Sequence, residues 1–221
     1  MRLTAAGIAL ALMSLAAHPV SAQVSIGGRI GASISDLSVD TRDVPPDLDS
    51  KTGLVVEAFA DIPLSPGLSF QPGIQYAQKG ASATDTSEGQ EFTLELSFDY
   101  VEVPLLLRYA FPTTGALGVS LYGGPSLAFE ASCEVTLQGT SVTLTIGCDE
   151  GGQQGVEVNT KSFDLGVLFG GGISVPAGPG RLTVDVSYDM GLTNISSDAQ
   201  DDESVKNRAF YITAGMALPV G

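Results

Sequence analysis

Leu68-Ser69-Phe70-Gln71-Pro72-Gly73-Ile74-Gln75-Tyr76-Ala77-Gln78 alternates without a break. Leu68, Phe70, Pro72, Ile74 and Tyr76 fall on one face, and Ser69, Gln71, Gly73, Gln75 and Ala77 on the other. A period of two over this length predicts a β-strand. The run matches the roughly 9–11 residues that a tilted strand needs to cross a bilayer. It exceeds the roughly 5–6 residues usual for strands of soluble sheets.

The pattern recurs along the chain. Val24 to Ile34 sets Val24, Ile26, Ile30 and Ile34 against Ser25, Arg29 and Ser33. Leu54 to Ile62 sets its even positions against Val55, Glu57, Phe59 and Asp61. Val101 to Phe111 sets its odd positions against Glu102, Pro104, Leu106, Arg108 and Ala110. Val119 to Phe129, Phe163 to Val175, Leu182 to Met190 and Phe210 to Leu218 behave alike, which makes eight strands.

The connections alternate too. Pro63 to Gly67, Pro112 to Gly118 and Pro176 to Gly180 are short and rich in Pro and Gly, as turns are. Asp36 to Lys51, Gly80 to Gln90, Glu130 to Thr160 and Asn194 to Val205 are long and polar. Short periplasmic turns and long external loops are the habit of outer-membrane barrels. The expected fold is therefore all-β: an eight-stranded antiparallel up-and-down transmembrane β-barrel.

The first residues support export. Arg2, an apolar stretch from Ala5 to Ala17 and the small residues of Val20-Ser21-Ala22 form a signal-peptide pattern. Residues 1–22 are expected to be removed, leaving one barrel domain over 23–221. The apolar stretch is too short to span a membrane, which takes about 20 residues. Net charge is −15 with only 10 Lys and Arg, which argues against nucleic acid as a partner. Only 16% of residues are charged, so the acid is concentrated, as in Asp198 to Glu203. That run reads as solvated, with calcium binding the weaker alternative.

Orientation of the apolar face separates a membrane barrel from a soluble one. A lipocalin-like barrel lines its interior with that face, and a membrane barrel turns it to lipid. The opposite face here carries both charge signs: Arg29 and Arg108 with Glu57, Glu102, Asp164 and Asp185. Eight strands leave an interior that side chains fill. Buried charges must pair, so these six residues are expected to form an interior network in place of an open pore. Asp185 and Asp189, two steps apart, read as partners for interior arginines.

Cys133 and Cys148 are the only cysteines. They bracket an alternating segment, Glu134 to Gly147, that reads as a hairpin above the membrane closed by a disulfide, which export permits. The only histidine, His18, lies in the leader. Ser-His-Asp and Cys-His catalysis and His-based zinc sites are thereby excluded from the mature chain. No enzyme, cofactor or metal site is expected. Gly170-Gly171-Gly172 lacks the Lys-Ser/Thr of a phosphate loop and reads as a bend or close-packing site.

Asp99 to Tyr109, with Tyr100, Glu102, Pro104-Leu105-Leu106-Leu107 and Arg108, resembles the Y-x-E-x-P-L-L-x-[KR] strand of the porin-family outer-membrane β-barrel domain, the PorT-like group. Leu121-Tyr122-Gly123-Gly124-Pro125-Ser126 is similar to the strand that follows there, and Leu182 to Asn194 with Lys206-Asn207-Arg208 to the last hairpin. The resemblance implies an outer-membrane barrel, in some members tied to secretion or transport. The expected role is a structural or interaction scaffold presenting external loops. Its partners would be outer-membrane lipid and, during insertion, the barrel-assembly machinery. A small-solute channel or carrier, or a soluble lipocalin-like binding barrel, are the alternatives.

Overall fold

The computed structural model describes residues 23–40, 48–87, 90–139, 143–148, 162–195 and 204–220. The expected leader over 1–22, with His18, and the acidic run Asp198 to Glu203 lie outside the described residues. Among the described residues nine strands follow one another: β1 (Ser25–Asp40), β2 (Asp49–Ser65), β3 (Leu68–Ser87), β4 (Gln90–Phe111), β5 (Gly118–Gln138), β6 (Thr143–Gly147), β7 (Phe163–Ala177), β8 (Gly180–Gly191) and β9 (Ser204–Pro219). All pairings are antiparallel. Each strand except β6 pairs with its two neighbours, and β1 pairs with β9, so eight strands close a ring. The ninth, β6, adds to the outer half of β5 alone, from Glu134↔Gly147 to Gln138↔Thr143.

The ring turns its apolar face outward. Ile30 and Ile74 each keep 58% of their surface exposed, while Glu102 on the opposite face keeps none. Ile26, Leu107, Leu121, Phe169, Val186 and Ile212 are likewise exposed. A lone apolar side chain loses about 1.5–3 kcal/mol by staying in water when it could be buried. So many on one continuous face require lipid, and a lipocalin-like arrangement is ruled out. Aromatic pairs lie on this surface: Tyr109 with Phe111 near the turn after β4, and Phe169, Tyr188 and Phe210 in a cross-strand ladder with centroids 5.6 and 4.7 Å apart.

At the external end most strands run past the sequence expectation: β1 reaches Asp40 and β2 begins at Asp49 inside the expected loop Asp36 to Lys51, β5 reaches Gln138 inside the expected loop Glu130 to Thr160, and β9 begins at Ser204. Gly80 to Ser87, expected as part of a loop, is strand: β3 runs on to Ser87, and β4 begins at Gln90. β4 has 22 residues, about twice what crosses a bilayer. Its outer half stands in water because its outward face changes character. Val101, Val103, Leu105, Leu107 and Tyr109 point to lipid, whereas Thr93, Glu95, Ser97 and Asp99, of the same parity, give a polar outer face above it. Across the seam, Ser132 donates to Asp99 (3.0 Å), and threonine hydroxyls pair at 93 with 84 (3.2 Å) and at 136 with 145 (3.1 Å). Inward, Phe98 and Tyr100 pack with Ala128, Leu37, Leu96 and Cys133.

β5 keeps step through a bulge. Tyr100 pairs with Glu130 and Asp99 with Ser132, which leaves Ala131 unopposed. Inward residues are even-numbered below it (Ser120, Tyr122, Ser126, Ala128) and odd-numbered above it, with Val135 buried. One extra residue thus moves Val135 and Leu137 onto the inner face beside Leu96 and Leu94.

Candidate functional site

Every odd residue of β1, β2, β3 and β8 and every even residue of β4 faces the ring interior in the membrane zone, and these positions carry the polar groups. Arg29 and Glu57 are cross-strand partners. Arg29 Nε lies 2.6 Å from Glu57 Oε2, and Nη2 donates to Glu57 Oε1 (3.0 Å) and to Gln71 Oε1 (2.9 Å). This two-pronged geometry is the strong form of a guanidinium–carboxylate contact. Asp185 Oδ1 sits 3.4 Å from both Arg29 Nη1 and Arg108 Nη2. The Tyr122 ring lies beneath both guanidinium groups, at 5.7 and 5.4 Å. Arg29, Glu57, Arg108 and Asp185 therefore form one cluster.

Glu102 belongs to another, nearer the external end. Lys79 Nζ lies 2.6 Å from Glu102 Oε1 and 2.6 Å from Asp189 Oδ2. Gln75 Nε2 donates to Glu102 Oε2 (2.7 Å), and the Tyr211 hydroxyl approaches both carboxylate oxygens at 3.4 Å. Asp164 meets neutral donors: the Thr193 hydroxyl, and Asn207 Nδ2 at 3.1 Å, which also donates to the Tyr100 hydroxyl (3.1 Å).

The six sequence-chosen residues are thus divided among three clusters. Lys79 is not among them, and Asp189 pairs with this lysine, not with an arginine. The signal for Lys79 is one step of the same alternation: it follows Gln71, Gln75 and Ala77 on the odd face, just past the strand end expected at Gln78.

Two glycines make room for the acids. A Cβ on Gly172, which pairs with Asp185, would stand 2.2 Å from Asp185 Oδ1, and one on Gly73 would stand 2.7 Å from Glu57 Oε1. The central glycine run is thus a packing device. Space between the clusters is small: a cavity of about 10 Å³ lined by Arg29, Glu57, Gln75, Tyr122 and Tyr211, about the volume needed for one water. Toward the short turns the interior widens into a vestibule of about 430 Å³.

Beyond the membrane, Cys133 and Cys148 are joined, with Cα atoms 5.4 Å apart. The disulfide ties the end of β6 to β5 and closes a loop whose chain-entropy contribution is about 3 kcal/mol. Lys51 Nζ reaches Glu95 Oε1 at 2.8 Å and the Ser97 hydroxyl across the outer face. The hydrogen bond from Lys51 holds the Glu95 carboxyl below its ordinary value against the opposing effect of partial burial.

No sequence among curated proteins matches the chain. Solved structures similar to it include Neisserial surface protein A, at 12% identity over 89% of this chain and 97% of that one with a TM-score of 0.47. OprG of Pseudomonas aeruginosa is similar at 10% identity over 90% and 97%, TM-score 0.49. A major outer-membrane protein of Thermus thermophilus is similar at 13% over 90% and 100%, TM-score 0.49. Residues 17–197 match the model of the outer membrane protein beta-barrel domain. With a closed ring, lipid-facing apolar surface and charged interior, the chain belongs to that family and is a protein of the outer membrane.

Proposed function

We propose that this barrel is a closed, non-enzymatic scaffold that presents its external strands and loops, and that its place within the family is near the PorT-like group, on the strand from Asp99 to Tyr109. The observation that carries the reading is the combination of a filled interior with an elongated exterior. Two ion-paired clusters occupy the lumen with about 10 Å³ between them, while β3 to β6 continue past the lipid zone as a four-stranded wall stapled by Cys133–Cys148. Function placed on a rigid scaffold's exterior is the general pattern. Lipid is the partner of the apolar belt, and the barrel-assembly machinery the partner during insertion. The polar outer face and acidic balance count against nucleic acid.

Planar-bilayer recording tests the reading. The purified protein is expected to add no stable conductance steps. Steps that disappear when Lys79 or Arg29 is substituted would show a path through the clusters and establish the channel alternative. A solute carrier would draw on the vestibule at the short-turn end, but that space stops at Gln71 and Arg108.

A further inference from the structure

The vestibule is a built space. It is blind, its floor is formed by Gln71, Arg108 and Thr183, and its wall and mouth carry Asp61 and Arg181. Its volume of about 430 Å³ lies in the range of small-molecule pockets, roughly 300–1,000 Å³. Three of its polar atoms are buried and make no hydrogen bond: Gln71 Nε2, Thr183 Oγ1 and Asp61 Oδ1. Gln71 is 1% exposed and Thr183 7%. Buried polar atoms without partners are costly, and all three belong to residues that line this one space.

The charges around that space are of both signs. Arg108 spends its charge on a long contact to Asp185, 3.4 Å. Arg181, exposed at the mouth, is steadied by Ser174, whose hydroxyl accepts from Nε (3.2 Å) and Nη2 (2.9 Å). Arg181, Thr183 and Asp185 are alternate residues of β8, so they stack from mouth to floor to charge cluster. Guanidinium groups fit carboxylates, and Asp61 supplies the opposite charge within the same cavity. A simple anion would leave Asp61 unanswered, and a simple cation would leave both arginines so.

We propose that the periplasmic vestibule binds small zwitterions, the carboxylate toward Arg108, Arg181 and Thr183 and the ammonium toward Asp61. The class includes free α-amino acids and short peptides. Because the floor is closed by the charge cluster, binding there is capture from the periplasm and requires no conduction.

The test uses the refolded barrel in detergent micelles with ¹⁵N-labelled arginine side chains, titrated with glycine, acetate and methylammonium. Glycine is expected to shift the Arg108 and Arg181 signals saturably, at about fivefold lower concentration than acetate, and to leave Arg208 at the external end unmoved. Arg181→Gln should raise the half-saturating glycine concentration about tenfold. Thr183→Val, which removes only a hydroxyl, should raise it about threefold and serves if the arginine variant misfolds. Asp61→Asn should bring glycine down to the level of acetate. Absence of saturation, equal response to glycine and acetate, or an unchanged glycine preference in Asp61→Asn would each overturn the proposal.

Discussion

Lys79→Met removes the one cation between two buried carboxylates. Lys79 is 2% exposed, Glu102 0% and Asp189 3%, and both N–O distances are 2.6 Å. Methionine matches the lysine stem in length, so the change is mainly one of charge. Breaking a buried pair by removing one partner costs about 3–5 kcal/mol, because the remaining charge stays desolvated and unanswered. Two acids are left facing one another here, so the upper part of that range applies. The ammonium also lies 5.4 and 5.9 Å from the Tyr100 and Tyr211 rings, contacts worth about 0.5–2 kcal/mol when desolvated.

The assay is urea unfolding in lyso-lipid micelles, followed by the heat-dependent gel shift of the closed barrel and by tyrosine fluorescence, since the chain has no tryptophan. A loss of at least about 3 kcal/mol is expected for the single variant. Lys79→Met with Glu102→Gln and Asp189→Asn removes every charge of the cluster at nearly constant volume. Most of the loss should return, because a neutral replacement of a buried ion pair is often neutral or stabilising. A single-variant loss under about 1 kcal/mol, or a triple variant no better than the single one, refutes the claim that charge compensation holds this cluster.

Gly172→Ala drives a methyl group to 2.2 Å from Asp185 Oδ1 and should lower stability by about 1–3 kcal/mol, read as a lower midpoint of the thermal gel shift. Gly123→Ala, whose nearest contact would be 3.4 Å, should change it little. Val186→Lys on the lipid face should cost about 2–4 kcal/mol in refolding into bilayers, whereas Thr136→Lys on the outer face of the external wall should stay within about 0.5 kcal/mol; equal costs would refute the placement of the lipid boundary. Glu95 titrates below its ordinary value because Lys51 donates to it. Its contribution is therefore present above about pH 4.3, the unfolded value, and disappears as pH falls through the lowered folded value. Amide protection in the outer half of β4, taken relative to the intrinsic exchange rate at each pH, should fall over that window, and Lys51→Met should remove that fall.

The membrane makes much of this fold legible. With no water in the hydrocarbon zone, every backbone group must pair and every outward residue must be apolar, so alternation from Leu68 to Tyr76 or Val101 to Phe111 is nearly free of exceptions. The two arginines and four acids chosen for the interior are visible for the same reason: any charge in such a strand stands out. Beyond the lipid that discipline lapses. Gly80 to Ser87 has small, polar residues and no apolar face, so it reads as a loop. It is a strand because β4 pairs with it, Ala81 opposite Leu96 and Ala83 opposite Leu94. Such partnership across strands leaves no periodic trace in either segment alone. Lys79 falls at this border, and the partition of the six charges into clusters depends on it.

β4 shows how one strand can serve two solvents without breaking its hydrogen-bond ladder. Its inward residues pass from Arg108, Leu106 and Glu102 to Tyr100, Phe98, Leu96 and Leu94, while its outward residues pass from Leu107 and Val103 to Asp99, Ser97 and Glu95. Both faces exchange character at Asp99–Tyr100, the point where β5 bulges. Below it, the outward residues must be apolar because they meet lipid, and the inside holds the charge clusters together with a buried apolar layer that includes Val55, Ala77, Leu106, Leu168 and Ala209. Above it, the outside is polar because it is water; Phe98, Leu96 and Val135 pack on the inner face, while Leu94 and Leu137, nearer the tip, stay exposed. The bulge lets β5 deliver Val135 to the packed inner face after presenting Ala128 and Ser126 to the lumen. A strand of single polarity would have had to end at the lipid surface in a loop. Exchanging polarity lets the wall continue outward as sheet, and the Cys133–Cys148 staple holds its last strand in register. The external surface is thereby built on paired backbone, anchored through β3, β4 and β5 to the same strands that carry Lys79 and Glu102.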